Sequence, residues 1–186
     1  MDPTKLLEAD HRTVEALFDQ IQSAEGDART PLIDELATSL RGHMELEEQV
    51  LYPAMEPVTG AEAVEEANTE HELARKTLAE MLNLAPDKPG FEAALESVKA
   101  GIEHHVEEEE NEVFPKLRNQ GENVLREIAT PFIHKRTELG LPMDAAALAA
   151  ASTKDELLAE AQNAGVDATS SMTKEQLAEA LVSSMT

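Results

Sequence analysis

His43-Met44-Glu45-Leu46-Glu47-Glu48-Gln49-Val50-Leu51-Tyr52-Pro53 returns, without a gap, as His105-Val106-Glu107-Glu108-Glu109-Glu110-Asn111-Glu112-Val113-Phe114-Pro115. In both copies a Glu follows a His by four residues, the spacing that puts two side chains on one face of an α-helix. The repeat extends upstream, where Asp10-His11 corresponds to Glu70-His71. Each half of the chain therefore contributes a His and then a His-x-x-x-Glu, and the repeat selects His105 over the adjacent His104.

The apolar residues around these positions recur at helical spacing. One seam runs Leu7, His11, Val14, Phe18, Ile21; a second Leu36, Leu40, His43, Glu47, then Val50 or Leu51; a third Val64, Ala67, His71, Ala74, Leu78; a fourth Leu95, Val98, Ile102, His105, Glu109, Val113. On each helix one His takes a core place, and on two of them a Glu does so one turn later. Asp2-Pro3 and Thr30-Pro31 are helix starts, Gly26 ends the first helix, and Pro57 with Gly60 and Pro86 with Pro89-Gly90 mark the next turns. The second helix is expected to run to about Tyr52-Pro53 and the fourth to Phe114-Pro115 or Leu117. Four long amphipathic helices with short turns predict an all-α, up-down-up-down four-helix bundle. Residues 123–137 read as a shorter fifth helix interrupted by Pro131, so that the bundle spans residues 1–137.

The turns set the heights of the histidines. His11 lies 15 residues before Gly26 and His43 lies 17 after it, and the other turns give similarly matched distances to His71 and His105. At about 1.5 Å per residue, all four fall within roughly one helical turn of a common level. A single seam His is ordinarily a hydrogen-bonded core residue. Four imidazoles and two carboxylates at one level of an apolar bundle would be strongly destabilising unless paired, and a metal supplies the pairing. His11, His43, Glu47, His71, His105 and Glu109 are the candidate ligands. The two half-sites imply two metals about an approximate two-fold axis, with Glu47 and Glu109 placed to bridge them.

Composition narrows the chemistry. The 186 residues hold 38 acids against 15 bases, a net charge of -23, which argues against nucleic-acid binding by the bundle. With no Cys, a metal must be held by nitrogen and oxygen donors. Neither a leader nor a membrane-length apolar run is evident, so a cytoplasmic protein without membrane association is the expectation. Most of the acid excess reads as solvated helix surface. His104 is expected at the surface, His134 lies off the seam of Leu125, Ile128 and Phe132, and Tyr52, matched by Phe114 in the repeat, reads as a packing residue. Asp10 and Glu70 could accept from imidazole N–H groups, but the residue before a ligand usually points elsewhere.

After residue 137 the composition changes. Residues 138–152 are Ala-rich and read as a linker, one that could itself be helical. Residues 153–186 then carry two capping boxes, Thr153-Lys154-Asp155-Glu156 and Thr173-Lys174-Glu175-Gln176, each opening a short helix, with Gly165 ending the first. This tail weakly resembles the helix–turn–helix modules of the SAP or Rho-N-terminal type. Lys154 and Lys174 stand there against Asp155, Glu156, Glu160, Asp167, Glu175 and Glu179, which favours a protein partner or self-association over nucleic acid.

The double His…His-x-x-x-Glu pattern within four helices resembles the hemerythrin-like (HHE cation-binding) family over about residues 1–136. The resemblance implies two iron ions on the six candidate residues, bridged by carboxylates and by oxo or hydroxo. Where the oxygen carriers of the family have a further His one turn along the third helix, this chain has Arg75. The six-ligand set and its open positions imply a protein that reacts with O2-derived species, hydrogen peroxide or nitric oxide in stress defence, as a catalase- or peroxidase-like or nitric-oxide-related oxidoreductase. The alternative is an O2, redox or iron sensor that signals through its tail.

Overall fold

The computed structural model describes residues 1–185. Helix α1 (Pro3–Ser23) starts on Asp2, whose carboxylate accepts from the Thr4 N–H, with Pro3 in the first turn. A short 3-10 turn leads into α2 (Arg29–Leu46). This helix passes through one π-helical turn (Glu47–Leu51) into α3 (Tyr52–Thr59), ended by Gly60 at φ 99°. The second half repeats the plan: α4 (Ala61–Leu82), α5 (Phe91–Glu108), a π-helical turn (Glu109–Val113) and α6 (Phe114–Gln120). The hairpins α1–α2 and α4–α5 form the all-α bundle.

Both π turns begin at the Glu of a His-x-x-x-Glu and end just before an aromatic-Pro pair. Proline lacks the N–H for an α-helical bond and crowds the carbonyl four residues back, so the chain widens ahead of Pro53 and Pro115. The Tyr52 and Phe114 N–H groups accordingly donate five residues back, to the Glu47 and Glu109 carbonyls. The second helical rod therefore continues past its expected end at Tyr52-Pro53 to Thr59.

Helix α7 (Glu122–Glu138) crosses the end of the bundle and buries Leu125, Ile128, Phe132 and Ile133. It is not interrupted at Pro131. That residue and Glu127, whose carbonyl loses its donor, both lie on the exposed face, open to solvent. The following loop approaches α2 at Gly42, where an added Cβ would come within 2.6 Å of Leu141 Cδ2.

Part of the Ala-rich stretch is a helix, α8 (Ala145–Ala151), and it packs, burying Leu148, Ala149 and Ala151 against α1 and α10. Small Ala side chains let the helix axes approach closely, so a stretch without large apolar residues still builds core. Helix α9 (Lys154–Asn163) carries the Thr153–Glu156 capping box, and α10 (Lys174–Met185) packs against α8 and α9. The Asp2 N–H donates to the Ala151 carbonyl at 2.6 Å, and the Met1 ammonium pairs with Glu156.

The buried apolar residues fall into two clusters. One, at the Gly26 and Pro86 turns, holds Phe18, Ile21, Leu36, Met81, Phe91 and Leu95. The other joins Leu6, Leu7, Leu46, Leu51 and Phe114 to α7 and to Leu148, Leu157, Leu177 and Leu181 of the tail. A layer of buried polar residues occurs between Leu7 and Val14 on α1 and between Leu40 and Leu46 on α2. Among the described residues no helix is long and apolar enough to cross a membrane.

Candidate metal centre

His11, His43, His71, His105, Glu47 and Glu109 are all buried, and the structure brings them together at one level. They form two similar groups. His11 Nε2 and His43 Nε2 are 3.2 Å apart, and His71 Nε2 and His105 Nε2 are 3.1 Å apart. The two carboxylates lie between the pairs. Glu47 turns Oε1 to His43 at 3.3 Å and Oε2 to His71 at 3.4 Å, while Glu109 turns Oε1 to His105 at 3.6 Å and Oε2 to His11 at 3.4 Å. Donors about 2.1 Å from a common ion sit roughly 3.0–3.4 Å from one another, so these separations suit a shared cation on each side.

An outer carboxylate faces the far nitrogen of every ring. Glu110 lies 2.9 Å from His11 Nδ1, Asp10 3.4 Å from His43 Nδ1, Glu48 2.9 Å from His71 Nδ1, and Glu70 2.7 Å from His105 Nδ1. The internal repeat is visible in this wiring. The acid before each upstream His serves the His on the next long helix of its own half, and the acid after each ligand Glu serves the other half. A carboxylate only accepts, so each Nδ1 carries the hydrogen and each neutral ring turns an Nε2 lone pair inward. Inside, the lone pairs meet one another and both oxygens of Glu47 and Glu109, which have no hydrogen-bond partner among the described residues. A buried cluster of acceptors without donors is satisfied by cations, and the donor set fits nitrogen- and oxygen-loving metals.

In the metal-free chain, protons take part of that role. Burial alone would lower the His43 imidazole, but Glu47 and Asp10 outweigh it and raise it well above its ordinary value of 6.5. Burial opposes His105 likewise, yet Glu109 and Glu70 push it up to about 9. Burial would raise Asp10, but Arg136 and His43 bring it below the usual carboxylate value.

Four residues carry more than their sequence positions suggested. Tyr52 is not only a packing residue: its hydroxyl donates to His71 Nε2 at 3.0 Å from a buried position. In a regular helix Tyr52 would point about 140° away from Glu47, and the π turn brings it back toward the same face. Phe114, its repeat partner, stacks on His11 with ring centroids 5.9 Å apart, so the halves differ chiefly here. Asp10 and Glu70 both turn to a ligand ring, because the acid on one helix faces the groove in which the next helix presents its His. Arg136, buried on α7, makes two 2.6 Å bonds to Asp10 and donates to the Pro142 carbonyl. Its signal was present in the sequence, since it falls one turn after Phe132 on an otherwise apolar seam. His134 is exposed and His104 is largely so.

An all-α bundle with a preorganised inner layer of imidazoles and carboxylates defines a cation-binding helical protein. The hemerythrin HHE cation binding domain matches residues 2–117, and the chain belongs to that family. It is 30% identical over 112 residues to an uncharacterized hemerythrin-like protein of Schizosaccharomyces pombe, covering 58% of this chain and 55% of the relative. It is 25% identical over 120 residues to a protein of Nostoc sp. named DNA nickase, covering 64% of this chain and 34% of that one. The chain thus spans about half or less of the length of these relatives. Its fold resembles the crystal structure of a hemerythrin HHE cation binding domain-containing protein from Mycobacterium kansasii, with a TM-score of 0.60 and 22% identity over 97% of this chain and 99% of that one. That likeness extends well past residue 117, into the tail.

Proposed function

We propose that His11 and His43 hold one iron ion, that His71 and His105 hold a second, that Glu47 and Glu109 bridge them, and that the pair reacts with O2-derived species, hydrogen peroxide or nitric oxide in stress defence. The observation that carries this reading is the inward set of four Nε2 atoms and four carboxylate oxygens, toward which, among the described residues, only the Tyr52 hydroxyl donates, to His71, while the carboxylate oxygens have no donor. Imidazole and carboxylate donors suit several first-row metals, and the family resemblance of the double His…His-x-x-x-Glu pattern supports iron among them. Bound iron supplies one-electron chemistry and, with four protein donors on each side, open positions for a small ligand.

The chain's own residues shape what reaches those positions. A cavity of about 260 Å³ between α1 and α5 reaches His11, with Val14, Phe18, Ile102 and Val106 in its wall and Arg12 and Glu110 at its edge. It opens to solvent beside His11 and is large enough for a small molecule. On the opposite half the Tyr52 hydroxyl is the proton-bearing group closest to His71, and burial with the fields of Glu47 and Glu109 raises its pKa well above 10, so it stays protonated. It is placed to give a hydrogen bond to a ligand there.

Metal analysis together with the absorption spectrum of the aerobic protein, before and after peroxide, tests the reading. We expect about two irons per chain, a spectral change on peroxide addition, and loss of both in a His43→Ala plus His105→Ala variant. Turnover no faster than that of free iron, and the same in the variant, would overturn the enzymatic reading.

A second reading, a sensor, draws on the tail. Helices α8–α10 share a core with Leu7, Leu46 and Leu51, which flank candidate ligands, so a change at the metals has a packed path to them. Because α8–α10 share the core of the bundle, the two readings are separated on the tail's surface: Asp167→Lys with Glu179→Lys, both exposed, would leave peroxide turnover per iron intact in an enzyme and would abolish partner capture in a sensor. The activity in the Nostoc relative's name does not transfer, since phosphate contacts need a basic face and this chain carries a net charge of -23.

A further inference from the structure

The four outer carboxylates differ in what neutralises them. Asp10 is held by Arg136 through two bonds of 2.6 Å, Glu48 by Arg75 through two of 2.8 Å, and Glu110 by Arg12. Glu70 breaks the pattern. Its Oε2 accepts from His105 Nδ1 at 2.7 Å, and among the described residues its Oε1 faces only an imidazole, His104 Nε2, at 3.5 Å. That same nitrogen lies 3.4 Å from Glu108 Oε1, one helical turn along α5. The charges of Glu66 and Glu112 add to the negative field at Glu108. Where the other three positions have a guanidinium, this one has an open arrangement of one nitrogen and two oxygen donors.

We propose that Glu70, His104 and Glu108 form an outer site for a divalent first-row transition ion, separate from the buried layer. The donor atoms of the three lie within 4.8 Å of one another, and the two separations from the imidazole, 3.4 and 3.5 Å, repeat those found between imidazole and carboxylate inside. For bonds of about 2.1 Å they match the edge of a tetrahedron roughly 3.4 Å long. One imidazole with two carboxylates is a donor set for Zn2+, Mn2+ or Fe2+ rather than for Ca2+, and water completes the shell. The ion takes the place that Arg136, Arg75 and Arg12 take at the other corners. Because Glu70 uses its second oxygen on His105, one carboxylate serves both the outer ion and an inner ring.

Calorimetric titration of the full-length, iron-loaded protein with Zn2+ at physiological salt tests this, read as the difference between the wild type and single variants. That difference holds whichever ion fills the inner centre. The wild type is expected to show one saturable equivalent that His104→Ala and Glu108→Gln each weaken by about tenfold or more. Glu107→Gln, which removes a neighbouring exposed acid outside the cluster, is expected to leave it unchanged. The His104 side chain is 64% exposed, so its removal leaves the fold in place, verified by helical circular dichroism and unchanged iron content. Zn2+ binding by His104→Ala equal to wild type would overturn the proposal. So would Glu107→Gln weakening it as much as Glu108→Gln, since the binding would then be diffuse attraction to an acidic surface.

Discussion

Tyr52 and Phe114 stand at the same place in the two copies of the repeat, yet one sends a hydroxyl to His71 while the other stacks on His11. This asymmetry gives the most direct functional prediction at the level of single residues. Tyr52→Phe keeps the ring and its packing and removes only the hydrogen bond, so folding should change by about 1 kcal/mol or less. If the hydroxyl assists a ligand at the His71 side, peroxide turnover should fall by about 10²-fold with metal content unchanged, the scale of a lost general acid. Parallel metal analysis and turnover assays separate that outcome from simple metal loss. The outer carboxylates make a second test. Asp10→Ala and Glu110→Ala each free a ligand ring, and each should weaken metal binding by about 10–100-fold in a chelator competition. Their effects on stability should differ. Asp10→Ala strands the buried Arg136, a cost of about 3–5 kcal/mol, whereas Arg12, the partner of Glu110, is exposed. Thermal melts of the two variants should therefore separate clearly. The six inner residues were legible in the sequence because they interrupt apolar seams. Of the outer acids, Asp10 and Glu70 could be named as acceptors from their places beside His11 and His71, but Glu48 and Glu110 could not, since they sit inside runs of Glu that read equally well as solvated surface.

The two π turns explain why helical periodicity located Glu47 and Glu109 but misjudged Tyr52. Up to each Glu the spacing is α-helical, and after it the extra residue shifts the register, so Leu51 rather than Val50 becomes fully buried. A proline in the sequence signals a break, but not whether the chain will end, kink or widen. Here Pro53 and Pro115 accompany widening within continuous rods, and Pro131 sits inside an unbroken helix. The turn can be tested as an element. Gln49 is exposed within the first π turn, so Gln49→Ala should be nearly neutral. Inserting one Ala after Gln49 adds a second extra residue and should swing Leu51, Tyr52 and Met55, all buried, by about 100° out of the core. The expected result is a loss of several kcal/mol in denaturant unfolding, beyond the 2–5 kcal/mol typical of one truncated core Leu, together with failure to retain metal. Deleting Gln49 instead leaves Tyr52 four residues from Glu47, about 40° away in an α-helix, and should keep these side chains facing inward. An insertion variant as stable as Gln49→Ala would show that the register after Glu47 does not matter to the core.

Read from sequence, the chain divides into a bundle, a linker and a small tail; in the folded molecule these parts share one apolar cluster. The Ala-rich stretch hid this, because its burial depends on close helix approach against α1 and not on any large side chain of its own. Shared burial makes a prediction about cooperativity. Leu177 and Leu157 are almost wholly buried in the tail, and the cluster that contains them also contains Leu6, Leu46 and Phe114. If tail and bundle unfold together, Leu177→Ala should cost about 2–5 kcal/mol and lower one common transition, followed alike by helical circular dichroism and by release of bound metal. If the tail is an independent module, the same substitution should produce an early, small helical transition while metal release stays where it was in the wild type. Small modules of this size are marginal alone, and the tail is further joined to the N-terminus through the Asp2–Ala151 and Met1–Glu156 contacts, so the common transition is the expected result. Two separate transitions would instead favour a tail free to detach, as the sensor reading would use it. The melting profile thus bears on function as well as on stability.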